Sequence, residues 1–280
     1  IIMLQDKALI TELHVSRWTC HKFDKAISLE VTTSKGADSD AGRWNKRLVS
    51  KSRTKKRDTI YTKAYLFHLD NTLPWKDDGG RLLPIANFDC YTGTIRQFQD
   101  DFSVAVPELV SQFPDILAEE ESRQNGMFKL SDYPKQWELA KKYAFSVRCY
   151  PVPSEADFRI SLADSELNRM KAELTEEMQA IETQSTKDLY IRLHSVIERM
   201  VHSLSNPEKV FHKSMLENVT DLCKLIPRLN VTNDSTLDGI ASEANRLTVY
   251  SPDTLRDDKV LRADTASKAQ DILDSLSAYV

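Results

Sequence analysis

The stretch DSELNRMKAELTEEMQAIETQSTKDLYIRLHSVIERMVHSLS, Asp164 to Ser205, decides the fold. Apolar residues recur in it at Leu167, Met170, Leu174, Met178, Ile181, Leu189, Leu193, Val196, Met200 and Leu204. With one vacant slot at Ser185 they make ten steps over thirty-seven residues, or 3.7 residues per step. A strand needs a period of two, so only an α-helix fits. Neither Gly nor Pro interrupts the run. It predicts one rod of roughly 60 Å, at about 1.5 Å per residue. The step exceeds the about 3.5 of a left-handed coiled coil, so the rod is expected straight or packed in a bundle. Its apolar side must be covered by the rest of the chain or by a neighbour.

Upstream, residues 9–18 (LITELHVSRW) alternate as a strand does, and 21–34 read as a short helix closed at Gly36. Asp38, Ser39 or Asp40 could cap a helix over 39–71, although SKSRTKKRDT (50–59) offers it no apolar face. Residues 71–87 hold two Pro and Gly79-Gly80 and read as a long loop pinned by aromatics such as Trp75. A second stripe, from Tyr91 through Phe98 and Phe102 to Ile116, predicts a helix over 89–121. Pro107 and Pro114 place a kink or break near Val106. Residues 123–141 mix turns with a short helix; 143–150 alternate as a strand ended by Pro151 and Pro153, with 157–162 as its partner. Asp164 or Ser165 caps the rod, and Asn206-Pro207 separates it (164–205) from a further helix over 207–226. The remainder carries two weaker helical stretches, 235–247 and 264–280. The whole predicts a predominantly helical α+β fold, a long-helix bundle with a small β-sheet at one end. It forms a single domain over 3–232 with a loosely attached helical tail, 233–280.

Composition bounds the function. Charged residues make up 29% and apolar ones 41%, with a mean hydropathy of −0.44. No apolar run reaches the about 18 residues of a membrane span, so a membrane partner is not expected. The N-terminal apolar stretch is too short for a secretory signal, and Met3 reads as a natural start. Cys20, Cys90, Cys149 and Cys223 lie far apart and read as reduced core thiols of a cytoplasmic protein. The net charge of −4 is unevenly spread: residues 1–64 hold 14 Lys+Arg against 7 Asp+Glu, and the rest is acidic. Such a dipolar chain can meet a polyanion at one end or stack head to tail on its own kind.

The densest chemical feature is the run Arg43, Lys46, Arg47, Lys51, Arg53, Lys55, Lys56 and Arg57. On a helix, Arg43, Lys46, Arg47 and Lys51 would share a face, as would Arg53, Lys56 and Arg57. Eight cations in fifteen residues could hold several phosphates, or could form a solvated face against an acidic body. Stacking aromatics are missing beside them except for Trp44, which argues against sequence-specific RNA reading. The six histidines form no HxxxH pair, and the carboxylate doublets, including Asp77-Asp78 and Glu119-Glu120-Glu121, read as surface charge. No metal, cofactor or catalytic residue is expected: the chain has no Walker lysine motif, no GxGxxG and no GxSxG. The stripe residues Leu167, Met170, Leu174, Met178, Ile181, Leu189, Leu193 and Met200 are the candidate interaction face, with core packing as the plainer reading.

Several short strings resemble a phage and prophage protein family known as domain of unknown function 3150. They are Lys22-Phe-Asp-Lys25, Asp40-Ala-Gly-Arg43, Asn71-Thr-Leu-Pro-Trp75, Arg81-Leu-Leu-Pro84, Pro151-Val-Pro153, Asp157-Phe-Arg159 and Pro227-Arg-Leu-Asn230, in family order over most of 3–232. The family assigns no catalytic residues. Its members often lie beside genes for a MoxR-like ATPase and a von Willebrand A-type protein. The resemblance implies an adaptor of an ATPase-containing assembly in the cytoplasm of an infected bacterium. The expected function is a non-enzymatic interaction or scaffold protein, with a second copy and other phage or host proteins as partners. The alternative is a nucleic-acid-binding protein using residues 43–57.

Overall fold

A computed structural model describes residues 3–76, 79–157, 164–206 and 212–280. The chain is predominantly helical with a small antiparallel sheet. It divides into two compact units, one built from residues 1–12, 69–92 and 148–280 and the other from 13–68 and 93–147. The expected single domain with a loose tail therefore gives way to two interleaved units. Each encloses its own cluster of buried apolar side chains.

The first unit is organised by the predicted rod. It is one unbroken helix, Asp164–Leu204, of 41 residues. Its interior side carries Ile181, Leu189, Tyr190, Leu193, Ile197, Met200 and Leu204, and Ser185 in the vacant slot is buried with them. In chain order the helices are α1 (Lys25–Ser34), α2 (Lys51–Asp70), α3 (Phe88–Ser111), α4 (Phe113–Gln124) and α5 (Gln136–Leu139). The rod itself is α6, followed by α7 (Lys213–Leu229), α8 (Ser235–Arg246), α9 (Pro252–Asp257) and α10 (Lys259–Leu276). Helices α7, α8 and α10 pack against α6. Helix α7 starts at Lys213 and runs through Pro227 to Leu229. Pro227 falls in the last turn and brings no backbone donor for the carbonyl one turn before it. Pro207 and Val210 of the predicted start lie outside the described residues.

The tail corrects the sequence reading most. Leu237, Ala241, Ala244, Ala269, Ile272 and Leu276 are all buried in the same cluster as the rod. The signal was weak because alanines carry much of the contact: they let helices approach closely while adding little to an apolar stripe. The polar anchors are specific too. The Tyr279 ring stacks on Tyr190 at 4.4 Å, and the Tyr190 hydroxyl donates to the Asp234 carboxylate at 3.0 Å. Asp234 caps α8 by accepting from the Thr236 and Leu237 amides. Burial and the adjacent Asp234 carboxylate push the Tyr190 hydroxyl far above its ordinary pKa.

The rod's C-terminus is closed from a distance. Arg262 of α10 is buried and donates to the carbonyls of Leu204 (3.0 Å), Ser203 (2.9 Å) and Asn206. A helix end leaves its last carbonyls without partners, and a cation there also meets the negative end of the helix dipole. Hydrogen bonds to a charged donor are worth about 1.5–3 kcal/mol each, with an added cost when a buried partner is orphaned. Arg262→Ala is therefore expected to lower stability by about 3 kcal/mol in urea unfolding, and Arg262→Lys, lacking the planar fork, recovers only part. Ser185 makes the opposite case. Its hydroxyl is buried without a hydrogen-bond partner among the described residues. Ser185→Ala is expected to leave stability unchanged or raise it by up to about 1 kcal/mol, read as a shift in the urea midpoint at constant m-value.

The sheet has the order β4-β5-β1-β6, with β1 at Ala8–Ser16, β4 at Leu73–Pro74, β5 at Arg81–Pro84 and β6 at Ala144–Pro151. Strands β1 and β5 run antiparallel from Ala8↔Pro84 to Thr11↔Arg81, and β4 pairs Leu73 with Leu82. The predicted 71–87 loop thus carries two short strands, and Trp75 is buried in the core as expected. Arg192 of α6 secures this stretch by donating to the carbonyls of Asp70 (2.7 Å), Thr72 (2.8 Å) and Leu69 (3.3 Å). The neighbour of β6 is β1; Glu155–Asp157 is a 3-10 turn, and 158–162 of the strand expected at 157–162 lie outside the described residues.

In the second unit, β2 (His21–Phe23) pairs with β3 (Asn45–Arg47), and α1 lies between them in the chain. Asp24 caps α1, whose C-terminus turns at Gly36 with φ +63°. The helix predicted over 39–71 begins only at Lys51, because Lys46 and its neighbours give their backbone groups to the β2 ladder. Helix α3 continues through Pro107 to Ser111, and the break falls at Gln112, where Pro114 sits in the first turn of α4. Phe102, Phe113, Ile116, Tyr133, Leu139 and Tyr143 fill this core together with Leu48, Val49 and Cys20. Among the described residues no helix is long and apolar enough to cross a membrane.

Candidate interaction surfaces

The eight cations of the basic segment are not one surface. Arg43, Lys46 and Arg47 precede α2, so they share no helix face with Lys51. The other five lie on α2, where the face from Thr54 to Arg57 turns inward.

Arg57 is buried at 3% exposure. Its guanidinium donates to the Trp18 carbonyl (3.0 Å), the Tyr143 hydroxyl (2.6 Å) and the Asp58 carboxylate (2.8 Å), and it approaches Cys20 Sγ at 3.8 Å. Burial pushes the Tyr143 hydroxyl up to about 12 and raises the Cys20 thiol. Asp58 also takes a hydrogen bond from Arg17 at 2.7 Å. This is a satisfied core network, with no atom left over for a phosphate.

Lys46 is equally buried, at 3% exposure. It faces the same side of the hairpin as Lys22, and both ammonium groups reach Asp132; Lys46 also donates to the Met127 carbonyl at 2.8 Å. Arg53 pairs with Glu119, its Nε at 2.8 Å, and Lys56 pairs with Glu108. Four of the eight cations are thus matched by carboxylates or carbonyls of the same unit. Among the described residues Arg43, Arg47, Lys51 and Lys55 make no ion pair; the Arg43 guanidinium lies 4.3 Å over the Phe23 ring. The acidic partners of Lys46, Arg53 and Lys56 lie roughly fifty to ninety residues downstream, so no local pattern announces them. One residue read as surface charge is buried: Glu120 accepts from the Ser50 amide at 2.7 Å, placing a carboxylate at the positive end of α2.

The rod's stripe splits in two. Ile181, Leu189, Leu193 and Met200 are enclosed by the rod's own unit, which settles them as core. Leu167, Met170, Leu174 and Met178 are half-buried, Met178 against the same core. The cysteines split likewise: Cys20 and Cys223 are buried, whereas Cys90 and Cys149 are exposed, so only two are core thiols, and all four are free. Among the described residues no three His, Cys, Asp or Glu side chains converge as an ion would require; Asp77 and Asp78 lie outside them. Charge follows the units: the second carries 19 Lys+Arg against 14 Asp+Glu, net +5, and the first 19 against 28, net −9. Comparison with protein-family models, curated proteins and solved structures finds no match for this chain.

The Lys22–Asp132–Lys46 cluster gives a pH dependence. Burial alone would raise the Asp132 carboxyl, but hydrogen bonds from Lys22 and Lys46 outweigh it and hold the pKa below the ordinary value. A depressed carboxyl contributes stability that is complete above its unfolded pKa of about 3.9 and disappears as pH falls through the folded value. Asp132→Asn strands the buried Lys46 ammonium and is expected to cost about 3 kcal/mol at neutral pH. Measured by urea unfolding from pH 7 to pH 2, the gap between wild type and variant should close below about pH 4.

Proposed function

We propose that this protein is a non-enzymatic interaction or scaffold protein that self-associates. The observation that carries the reading is α6. A helix of 41 residues, about 60 Å long, is held rigidly along its C-terminal half by α7, α8 and α10, while its N-terminal half keeps a half-buried apolar row. A rigid, partly covered rod displays a surface over a long distance, which suits assembly better than chemistry at a point. The opposed charges of the two units support head-to-tail contacts between copies. The resemblance to the phage family supports a place in an ATPase-containing assembly in the cytoplasm of an infected bacterium. Light scattering should show mass rising with protein concentration at low ionic strength; a single monomeric mass across the range removes the reading.

A second reading, polyanion binding, keeps one favourable observation: Arg43, Lys51 and Lys55 are exposed, and with Arg47 they make no ion pair among the described residues. The magnitude is diminished. Eight phosphate contacts would give a salt slope of about −7 on duplex DNA, whereas four give about −3.6. Oligonucleotide titrations from low to high salt should show no slope steeper than that, and replacing Arg43, Lys51 and Lys55 by Ser should abolish any binding.

A further inference from the structure

A shallow groove of about 690 Å³ runs between α2 and α3 in the second unit. Lys55 and Lys56 form one wall with Thr59, and Asp101 stands on the other; Ile60 and Val104 supply the apolar floor. Val104 is 64% exposed. Lys51 extends the basic wall one turn further, four residues before Lys55. A matching occupant would be a helix with an apolar row, an acidic flank and a cationic residue on the opposite flank.

The N-terminal half of α6 has that pattern. Residues 164–182 hold six Asp+Glu against two Lys+Arg, net −4. At 100° per residue, Leu167, Met170, Leu174 and Met178 form one row. Glu166, Glu173 and Glu177 lie along one edge of it and Lys171 along the other. Glu173 and Glu177 are spaced i,i+4, about 6 Å apart along the axis, as are Lys51 and Lys55. Their present partners are exposed: Glu173 meets Arg169 at 3.6 Å and Glu177 meets Lys76 at 2.8 Å. Such surface pairs exchange at little cost.

We infer that the α2–α3 groove receives the N-terminal half of α6 from a second copy of this chain. Glu173 and Glu177 then face Lys51 and Lys55, the Leu174 side chain covers Ile60 and Val104, and Lys171 lies towards Asp101. The inference rests on the self-association proposed above and names its contact. The two surfaces differ, so the contact is heterologous and propagates as an open chain unless its rotation closes a ring.

The test is a charge swap in the full chain, read by sedimentation velocity. Wild type should form species larger than a dimer at about 10 mM salt, where screening reaches about 30 Å, and dissociate towards about 1 M, where it falls to about 3 Å. The Lys51→Glu/Lys55→Glu and Glu173→Lys/Glu177→Lys variants should each associate at least about tenfold more weakly, because like charges then meet. Mixed in equal amounts they should recover wild-type association, since each groove again faces an opposite charge. Matching circular dichroism and urea midpoints verify that both variants fold. Self-association that ignores both swaps overturns this contact while leaving the scaffold reading intact. A chain monomeric in all conditions overturns both. Binding of a single-stranded oligonucleotide lost in Lys51→Glu/Lys55→Glu, without self-association, gives the groove to nucleic acid and overturns the inference.

Discussion

The burial of one side of α6 is the constraint on which the first unit depends. A helix with Leu189, Leu193, Ile197, Met200 and Leu204 along one face is unfavourable in water by about 1.5–3 kcal/mol for each large side chain left bare. That demand recruits α7, α8 and α10, and the remaining polar features are consequences. Arg262 appears where the rod's carbonyls run out, Arg192 where residues 69–72 must be held, and Tyr190 where α8 begins. Ser185 shows the limit of the principle, since one hydroxyl among these residues is buried without a partner.

The second unit is governed by electrostatics inside a small core. Arg57 and Lys46 are both buried, each among several hydrogen-bonding partners. Burying a cation is costly unless its donors are matched, and here aromatic hydroxyls, carbonyls and carboxylates match them. A basic stretch dense enough to suggest a phosphate surface is therefore divided. Part fastens the hairpin and α2 to the rest of the unit, and part stays exposed on α2. This division moves the functional emphasis from a charge cluster to the shapes of two helices.

The rod was fully legible from sequence because ten apolar steps without Gly or Pro admit no other period. Strands β1 and β6 were legible through alternation, and α1 through its closure at Gly36, although 21–23 of the helix read over 21–34 are strand β2. Three features were hidden for physical reasons. The inward face of α2 was hidden because its buried residues over 51–59 are Thr54 and Arg57, polar side chains that add nothing to an apolar stripe. The start of α2 was misplaced because a three-residue ladder with β2 overrides the capping signals at 38–40. The tail read as loosely attached because Ala241, Ala244, Ala266 and Ala269 bury little area each while permitting close helix contact. Of the candidate sites, the residues were legible but their neighbours were not: Glu108, Glu119 and Asp132 meet the basic segment only in three dimensions.

The distant closure of α6 also bears on how the chain matures. Arg262 stands 58 residues beyond the Leu204 carbonyl it serves. During synthesis the rod's final turn emerges long before its guanidinium partner does, and must rely on water in the interval. The first unit can reach its finished state only after α10 has been made, whereas every residue of the second has been made by position 147. A ribosome carrying this protein thus presents a completed basic unit while its acidic companion is still a growing thread.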